Sequence, residues 1–359
     1  MTRVAVIGGD GVGPEVVAVA RRALEAAGGA AGVSYAFEEF RLGADHYLET
    51  GETLPDLVFE RLKRDFDAIL LGALGDPRVP GNEHARDILL GLRFRLDLYI
   101  NLRPVRLLHP RLCPLRSRPD GTDRSVDLVV FRENSEGMYV GMGGNFKKGT
   151  RDEVAINEDL NTYRGVKRIV KAAFEHAVEH GRPRVTMCDK ANAMPYAHGL
   201  WRRVFAEVAA EHPFVKTEVE YVDALAMKLV RQPEHYAVIV TTNLFGDILS
   251  DLAAALVGGL GLAASANLHP GRPGLFEPVH GSAPDLAGTG AANPMAAVLA
   301  AALLAEHTGA SAVSRALETA VSDAVAAGVT TPDLGGAGST DAVGDWICAR
   351  LEKGAVRVG

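Results

Sequence analysis

Cysteine is scarce in this 359-residue sequence, and the few cysteines present exclude two classes of protein. Cys113, Cys188 and Cys348 are widely separated and odd in number, and no CxxC pair occurs. A disulfide-rich secreted scaffold is therefore excluded, and a cysteine-based zinc site is not expected. The pattern is typical of a protein kept in a reducing cytoplasm, which is the expected location.

The sequence also lacks long apolar runs and an excess of basic residues. No apolar run reaches the roughly 18–20 residues of a membrane-spanning helix, and the chain opens directly into a predicted strand, so no signal peptide is predicted. The formal net charge is −7, whereas general nucleic-acid binding depends on a basic surface. We expect neither a membrane nor a nucleic-acid partner. A small anionic partner stays compatible, because several arginines fall between Arg93 and Arg118.

Strand-like and helix-like segments alternate along most of the chain, which predicts an α/β protein with much parallel sheet. Apolar runs such as AILL and AVIV are typical of strands buried on both faces. The predicted strands are Val4–Ile7, Ser34–Phe40, Ala68–Leu71, Tyr99–Arg106, Val126–Phe131, Val154–Ile156, Arg184–Met187, Glu218–Val222 and Ala237–Thr241. The predicted helices between them include Val12–Ala27, Arg164–His180 and Trp201–His212.

The length and one irregular segment suggest two domains. Residues 111–124 are rich in Arg, Pro, Asp and Gly and predict a surface loop. Strand-like stretches with little helix follow as far as Thr162. We interpret this region as the start of a second domain inserted within the first.

Two carboxylates lie four residues apart in the stretch NLFGDILSD, at Asp247 and Asp251. On a helix they project from one face, where they repel each other unless a hard divalent cation lies between them. Alternatively, one carboxylate caps the helix and the other is solvated. Apolar neighbours such as Phe245 and Ile248 indicate a mostly buried segment, and buried carboxylates need partners.

Two further residues stand at predicted strand ends. Asp223, in YVDALAMKLV, is either the N-cap of a helix or a third metal carboxylate. Lys190, in CDKANAMPY, follows an apolar strand, the place where α/β enzymes keep their sites. It is either a general base or a solvated loop lysine, and the sequence leaves both pairs of alternatives open.

Three arginines and a loop complete the candidates. Arg93, Arg103 and Arg132 suit bidentate pairing with the carboxylates of a small acid, and Tyr139 follows Arg132 by seven residues. The loop FEPVHGSAPDLAG either presents backbone N–H groups to a phosphate or is only a complicated surface loop. Each signal is weak alone, since surface arginines and glycine-rich loops are common.

In chain order these stretches resemble the β-decarboxylating dehydrogenase family, which includes isopropylmalate, isocitrate, homoisocitrate and D-malate/tartrate dehydrogenases. The resemblance covers nearly the whole chain. It rests on GDGVGPEV, LRFRLDLYINLRPVR, VVFRENSEGMY, CDKANAM, YVDALAMKLV, NLFGDILSDLAAALVGGLGLAASANL and LFEPVHGSAPDLAG with AANP.

The resemblance implies a two-domain fold of the isocitrate/isopropylmalate dehydrogenase type, with a mixed, largely parallel sheet, and not a Rossmann fold. Residues 1–99 plus 252–359 would form the first, cofactor-side domain. Residues 100–251 would form the second domain, with the dimer interface and the metal carboxylates. The site would lie in a cleft, and closure of the domains would exclude water.

The resemblance also implies roles for the candidate residues. Arg93, Arg103 and Arg132 would hold the carboxylates of a 2-hydroxy acid, Lys190 would remove the hydroxyl proton, and Tyr139 would protonate the enol carbon. Mg²⁺ or Mn²⁺ would bind Asp223, Asp247 and Asp251. Lys190 and Asp223 would come from the neighbouring subunit, so that a homodimer with shared active sites is expected.

The implied cofactor is NAD, with a monovalent cation such as K⁺ as a further expectation. An acidic residue at Asp285 accepts hydrogen bonds from the ribose hydroxyls and repels a 2′-phosphate. The expected cofactor-binding residues are His280, Gly281, Ser282, Ala283, Asp285 and Asn293.

The implied substrate is a 3-substituted malate, read by the helix before Arg93. Leu89 and Leu90 favour an apolar substituent such as isopropyl, whose burial contributes ~2 kcal/mol. Arg86 either points to solvent or cofactor, or reads an extra anionic group on the substrate of a specialised relative. A D-malate/tartrate dehydrogenase is the other alternative, because GDPRVP and ANLHPGRPGLFEPVHG also resemble that branch.

Two readings from other classes compete with an enzyme of this family. A Mg²⁺-dependent phosphate-handling protein would use the glycine-rich turn GGDGVGPEV, but no GxxxxGK[ST] occurs. A non-catalytic binding protein would not need Lys190 and Tyr139 in those places. The turn also lacks the G-x-G-x-x-G spacing, and the adenosine half of the cofactor is expected on residues 280–285 and Asn293, so we expect the turn near the nicotinamide end. Gly8 stands where the family usually has proline, which loosens the turn.

Overall fold

The computed structural model describes residues 1–118 and 120–355, which form two compact units. The first unit comprises Met1–Leu98, Leu107–Asp123 and Ala254–Gly359, and the second comprises Tyr99–Arg106 and Arg124–Ala253. The segment Leu107–Asp123 thus groups with the first unit, whereas the sequence expectation kept residues 100–251 together.

The described residues form strands and α-helices, which alternate over part of the chain. The strands are β1 (Thr2–Ile7), β2 (Tyr35–Glu39), β3 (Ala68–Leu71), β4 (Ile100–Arg106), β5 (Asp127–Glu133), β6 (Gly143–Phe146), β7 (Val154–Asn157), β8 (Arg184–Asp189), β9 (Lys216–Tyr221), β10 (Val238–Thr241), β11 (Ala264–Leu268) and β12 (Gly274–Pro278). The helices are α1 (Gly13–Ala31), α2 (Ala44–Thr50), α3 (Asp56–Asp65), α4 (Glu83–Arg95), α5 (Tyr163–Glu179), α6 (Ala197–Ala210), α7 (Val222–Arg231), α8 (Asn243–Ala255), α9 (Met295–His307), α10 (Ser311–Ala326) and α11 (Thr340–Ala355).

The strands of the first unit lie in the order β2-β1-β3-β12-β11. β1 pairs in parallel with β2 and β3, β12 pairs in parallel with β3, and β11 pairs antiparallel with β12. Every residue of β3 is buried, as its unbroken apolar run predicts. One core cluster joins Ile7, Ile69 and Leu71 of these strands to Ile88 and Leu92 of α4, which anchors that helix on the sheet.

The strands of the second unit lie in the order β4-β5-β10-β8-β9. β4 and β5 are antiparallel, and the pairs of β10 with β5 and β8, and of β8 with β9, are parallel. The parallel strands β5, β10, β8 and β9 therefore end at one edge of the sheet, where the candidate residues follow them. The prediction of a mixed, largely parallel α/β fold is confirmed.

The glycine-rich turn Gly8–Val16 packs closely against its surroundings in the first unit. Gly9 and Gly11 have φ values of +75° and +56°. A Cβ on Gly11 would lie 2.0 Å from the carbonyl oxygen of Ser282, and Val12 N donates to that oxygen at 2.8 Å. Only glycine combines this backbone conformation with so close an approach. Pro14 stands in the first turn of α1, as helix-start signals predict.

β6 and β7 form a separate antiparallel ribbon in the second unit. All eight of its residues are exposed. Its apolar side chains include Phe146, 65% exposed, and Ile156, 53% exposed. An isolated two-stranded ribbon is marginally stable in water, and this one leaves those apolar side chains exposed.

Sequence patterns missed some elements and misjudged one helix start. The strands β6, β11 and β12 were not predicted, because short stretches that contain Gly, Asn and Pro carry weak strand signals. The prediction of Asp223 as an N-cap is wrong: α7 begins at Val222, and its N-cap is Tyr221, without a side-chain cap. Among the described residues, no helix is long and apolar enough to cross a bilayer.

Candidate active site

Arg103 and Arg132 lie on neighbouring antiparallel strands of the second unit. Asn101 of β4 stands opposite Arg132 of β5, and Arg103 follows Asn101 by two residues. Side chains two residues apart on a strand share a face, so both arginines project to the same side of the sheet. They are 7% and 2% exposed, respectively. Such buried guanidinium groups need anionic or polar partners.

Helix α8 supplies those partners from one face. Arg103 contacts Asp247 Oδ1 at 3.1 Å and Asp251 Oδ1 at 3.2 Å, and it donates to Ser250 Oγ at 2.7 Å. Arg132 also contacts Asp247 Oδ1. Asp247 and Asp251, which were predicted to share one helical face, therefore both contact the arginines. Burial raises the pKa of Asp251, the charge of Asp247 adds to this effect, and Arg103 opposes it.

Asn243 and Gly246 fix Arg132 against α8. The guanidinium donates to Asn243 Oδ1 through Nε at 3.0 Å and Nη2 at 2.7 Å. A Cβ on Gly246 would lie 2.6 Å from the Arg132 side chain. A larger residue at this position would push the helix away from the arginine, and the contact with Asp247 would be lost.

Tyr139 joins this cluster from a short helical turn after β5, Met138–Val140. Its hydroxyl donates to Asp247 Oδ2 at 2.9 Å, and Arg132 lies 5.1 Å from its ring centroid. Burial raises the pKa of Tyr139, and the negative charge of Asp247 raises it further. The phenol is therefore protonated at neutral pH and is a potential proton donor.

Lys190 and Asp223 form a separate pair in the second unit. Lys190 follows β8 directly, and its Nζ lies 2.7 Å from Asp223 Oδ1. The hydrogen bond from Lys190 lowers the pKa of Asp223. Within the described ranges, the three-residue group of ligand atoms that approach within 4.8 Å of one another is Glu218, Glu220 and His235. Asp223 is thus not gathered with Asp247 and Asp251 in a single chain.

Arg93 lies in the first unit, near the end of α4. It is 5% exposed, and its Nη2 donates to Glu277 Oε1 of β12 at 2.8 Å. Asn267 donates to the same oxygen at 2.9 Å. The buried Nε of Arg93 has no hydrogen-bond partner among the described residues. The guanidinium therefore keeps unused donor capacity, which a bound carboxylate could take up.

The predicted substituent-reading residues lie on α4. Leu89 is half-buried and packs against the core of the first unit, whereas Leu90 is half-buried outside that core cluster. Arg86, Leu90 and Arg93 are spaced by four and three residues and so share a helical face. Arg86 is exposed and lies 3.4 Å from Asp87. Leu90 is therefore the better placed of the two leucines to face a ligand beside Arg93.

The predicted cofactor loop follows β12. His280 donates from Nδ1 to the Gly281 carbonyl at 3.0 Å, so that Nε2 carries a lone pair, and this buried atom has no partner among the described residues. Ala283 has a φ of +38°, and Asp285 is exposed. Burial lowers the pKa of His280, which stays neutral. The loop thus combines an orphaned acceptor with an exposed carboxylate.

Asn293 holds structural contacts at the start of α9. It accepts from Met295 N at 3.0 Å and donates to Asp333 Oδ2 at 3.0 Å. The side chain thus ties the N-terminus of α9 to the segment before α11, and one of its functions is to hold the loop in place.

Several polar partners were missed from the sequence. Asn243 and Ser250 contact the arginines from α8, and Glu277 pairs with Arg93. The signal for Glu277 is a single carboxylate in the buried strand GLFEP, since a buried charge requires a partner. Asn243 precedes Asp247 by four residues, so the i, i+4 spacing that marked the aspartates also marks the asparagine.

Two comparisons with solved structures agree with this architecture. The isocitrate dehydrogenase of Methylococcus capsulatus has a TM-score of 0.86 and 36% sequence identity, over 98% of this chain and 100% of that one. A β-decarboxylating dehydrogenase of Thermococcus kodakarensis, in its apo form, has a TM-score of 0.80 and 38% identity, over 98% and 97% of the two chains.

Sequence comparisons lead to the same family. A relative from Streptomyces griseus, named 3-isopropylmalate dehydrogenase, is 48% identical over 349 residues, which is 97% of each chain. The family model described as isocitrate/isopropylmalate dehydrogenase matches residues 3–347. The chain therefore belongs to the isocitrate/isopropylmalate dehydrogenase family and is an oxidatively decarboxylating dehydrogenase.

Proposed function

We propose that this chain catalyses the NAD-dependent and divalent-metal-dependent oxidative decarboxylation of 3-isopropylmalate to 4-methyl-2-oxopentanoate and CO₂, a step of leucine biosynthesis. The observation that carries this proposal is the cluster on α8, where Arg103, Arg132 and Tyr139 meet Asp247 and Asp251. The name of the Streptomyces griseus relative supports the choice of substrate.

Arg93, Arg103 and Arg132 bind the substrate carboxylates in this proposal. Arg93 keeps an unpartnered buried Nε, and the other two arginines are balanced by Asp247 and Asp251. A divalent cation and a dicarboxylate carry equal and opposite charges. The arrival of both therefore preserves the charge balance of the cluster, while either alone disturbs it.

Asp223, Asp247 and Asp251 hold the metal in this proposal. Carboxylate oxygens are the donors that Mg²⁺ and Mn²⁺ prefer, and Asp247 and Asp251 project from one face of α8. When bound, the cation supplies Lewis-acid stabilisation of the negative charge that develops during decarboxylation. A monovalent cation such as K⁺ is proposed as an additional activator.

Two side chains move the protons. Lys190 accepts the proton of the substrate hydroxyl, and Tyr139 donates a proton to the carbon that loses CO₂. The raised pKa of Tyr139 supports its role as a donor. One proton leaves the substrate and one is added, so that the conversion of the substrate dianion and NAD⁺ to the product monoanion, CO₂ and NADH consumes no net proton.

The cofactor of the proposal is NAD, which accepts the hydride when bound. The orphaned Nε2 of His280 suits a donor such as the exocyclic amine of adenine. The exposed carboxylate of Asp285 suits the ribose hydroxyls and disfavours a 2′-phosphate. The backbone of Gly281, Ser282 and Ala283 and the side chain of Asn293 complete the proposed cofactor-binding set.

The proposed enzyme is a homodimer with shared active sites, in which Lys190 and Asp223 act in the site of the second copy. The pairing of these two residues with each other, apart from Asp247 and Asp251, supports this assignment. The exposed apolar side chains of the β6–β7 ribbon, including Phe146 and Ile156, supply a surface that needs covering.

Arg86 favours a second candidate substrate. Its exposed guanidinium shares a helical face with Leu90 and Arg93, where it can meet an anionic substituent. A relative that acts on a malate with an anionic substituent is therefore one alternative function. A D-malate/tartrate dehydrogenase is the other, because the stretches GDPRVP and ANLHPGRPGLFEPVHG resemble that branch.

Formation of NADH, followed by its near-ultraviolet absorbance, separates these functions. The purified enzyme is given NAD⁺, Mn²⁺ and, in turn, 3-isopropylmalate, D-malate, tartrate, isocitrate and homoisocitrate. We expect the highest kcat/KM with 3-isopropylmalate and loss of activity with a chelator. A higher kcat/KM with D-malate or tartrate selects the alternative, and no NADH with any acid excludes both.

A further inference from the structure

The backbone of Lys190 is held by a buried histidine. The Lys190 N–H donates to His198 Nδ1 at 2.6 Å. His198 stands in the first turn of α6 and is 1% exposed. This hydrogen bond joins the residue after β8 to the helix that follows it, and it fixes the point from which the lysine side chain departs.

The hydrogen bond also determines the protonation of His198. A backbone N–H can only donate, so Nδ1 must carry a lone pair and the ring proton must lie on Nε2. Burial lowers the pKa of His198, which keeps the ring neutral, while Asp159 and Asp189 oppose that shift. The Nε2 atom faces Asp159 Oδ2 at 3.8 Å. In a doubly protonated ring, the Nδ1–H group would face the Lys190 N–H group, and this hydrogen bond would be lost.

Hydrogen bonds also hold Asp189, the residue before Lys190. Asp189 is fully buried and accepts from Arg202 Nε at 2.6 Å and Nη2 at 3.0 Å. It also accepts from Ala191 N at 3.1 Å. The backbone is therefore restrained on both sides of Lys190, by Arg202 through Asp189 and by His198 directly.

His198 also touches the helix that carries the proposed metal carboxylates. Its ring meets the ring of Phe245 edge-on, with a centroid distance of 5.5 Å. Phe245 lies on α8, two residues before Asp247. The imidazole of His198 thus lies between the backbone of Lys190 and helix α8. A change in the shape or hydrogen bonding of this ring would therefore displace both.

We propose that His198 is a positioning residue, which acts through its Nδ1 acceptor to hold the Lys190 segment and thereby the Nζ–Asp223 pair at 2.7 Å. The proposal rests on the proposed function, because it takes Lys190 as the proton acceptor. A misplacement of a reacting group by about 1 Å can lower a rate by ~100-fold.

Two amide variants test the acceptor directly. In His198→Asn the side-chain oxygen takes the place of Nδ1, whereas in His198→Gln the amide takes the place of Nε2 and leaves Lys190 N–H without an acceptor. With 3-isopropylmalate and NAD⁺, we expect His198→Gln to lower kcat by about 10- to 100-fold with little change in KM. We expect the kcat of His198→Asn to stay within about threefold of wild type, because its side-chain oxygen still accepts the hydrogen bond from Lys190 N–H.

A merely structural role predicts a different result. It predicts parallel losses of melting temperature and kcat in the two variants, and that result overturns the proposal, as does wild-type kcat in His198→Gln. Competitive acetylation of Lys190, measured by mass spectrometry, supplies a readout that needs no turnover. We expect faster labelling in His198→Gln than in His198→Asn, and equal labelling overturns the proposal. An inactive wild-type enzyme with the expected difference in labelling refutes only the proposed function.

Discussion

The hydroxyl of Tyr139 donates a hydrogen bond to Asp247 Oδ2 at 2.9 Å, while Oδ1 of the same carboxylate contacts Arg103 and Arg132. One carboxylate thus orients the proposed proton donor and touches two of the proposed substrate-binding arginines. The phenol therefore lies beside the groups that would bind the acid it protonates, and its raised pKa keeps the proton available at neutral pH.

Removal of the Tyr139 hydroxyl should slow turnover without weakening substrate binding. We expect Tyr139→Phe to lower kcat by about 10²- to 10⁴-fold, the usual contribution of a general acid, and to change KM little. Steady-state NADH formation measures both constants. Tyr163→Phe is the matched control, because the Tyr163 hydroxyl contacts Glu207 on the surface, and it should keep kcat. A wild-type kcat in Tyr139→Phe would show that the Tyr139 hydroxyl is not the proton donor.

Shared active sites predict that two inactive variants restore each other. Lys190→Ala and Tyr139→Phe remove groups that the proposal assigns to different chains of one site. Co-refolding them in equal amounts should restore about a quarter of wild-type activity, because half of the dimers are mixed and each has one intact site. Full activity in dilute protein that sediments as a monomer, or no recovery in the mixture, would contradict shared sites.

The apolar substituent pocket predicts a loss of specificity when Leu90 becomes charged. Burial of an isopropyl group contributes roughly 2 kcal/mol, or about 30-fold in kcat/KM. We expect Leu90→Arg to lose this preference for 3-isopropylmalate over D-malate. Leu57→Arg is the control, since Leu57 is 83% exposed on α3. An unchanged substrate profile in Leu90→Arg would show that this face of α4 does not read the substituent.

The exposed carboxylate of Asp285 predicts a preference for NAD⁺ over NADP⁺. We expect the wild-type enzyme to have the higher kcat/KM with NAD⁺, and Asp285→Lys to narrow the difference by removing repulsion of the 2′-phosphate. The exposed Glu52, changed to Lys, controls for the altered net charge. A wild-type preference for NADP⁺ would make our interpretation of Asp285 wrong.

Glu133 predicts a pH dependence of stability. Burial raises the pKa of this 2%-exposed carboxyl from 4.5 to about 7, although the Ser135 hydroxyl and the N–H groups of Glu136 and Ser135 oppose the shift by hydrogen bonding. The folded state then binds the proton more tightly than the unfolded state. This contribution to stability is complete below about pH 4.5 and is lost as the pH rises through about 7.

Denaturation of the variant Glu133→Gln tests the direction of this pH dependence of stability. Glutamine mimics the protonated carboxyl and does not titrate, so the variant does not lose this contribution as the pH rises. The free energy of unfolding of Glu133→Gln minus that of wild type should therefore rise by up to about 3 kcal/mol between pH ~5 and ~8. Urea melts at the two pH values measure the difference. Glu175→Gln, at an exposed pair with Lys171, should show no such rise. A constant difference for Glu133→Gln would place the titration outside this pH range.

Local sequence patterns predicted much of the fold and most of the candidate residues. The AILL run and the VIV part of the AVIV run lie in strands that are buried along their whole length, and Pro14 lies in the first turn of α1 as expected. The spacing of Asp247 and Asp251 correctly predicted one helical face, because the helical period is a property of the local backbone. The wrong N-cap at Asp223 lies at an element boundary, where local signals are weakest. The strands β6, β11 and β12 were missed because their short stretches contain Gly, Asn or Pro, which carry weak strand signals.

The sequence by itself determined which residues are available: the arginines, the spaced carboxylates, the lysine at a strand end and the order of the motifs. The tertiary structure alone decided which of them meet. Arg103 reaches Asp251 across 148 positions of chain because β4 and β5 present their arginines to α8. His198 acquired its place beside Lys190 in the same way. Helical and strand periods repeat within a few residues, so they carry no information on pairings that the packing of distant elements creates.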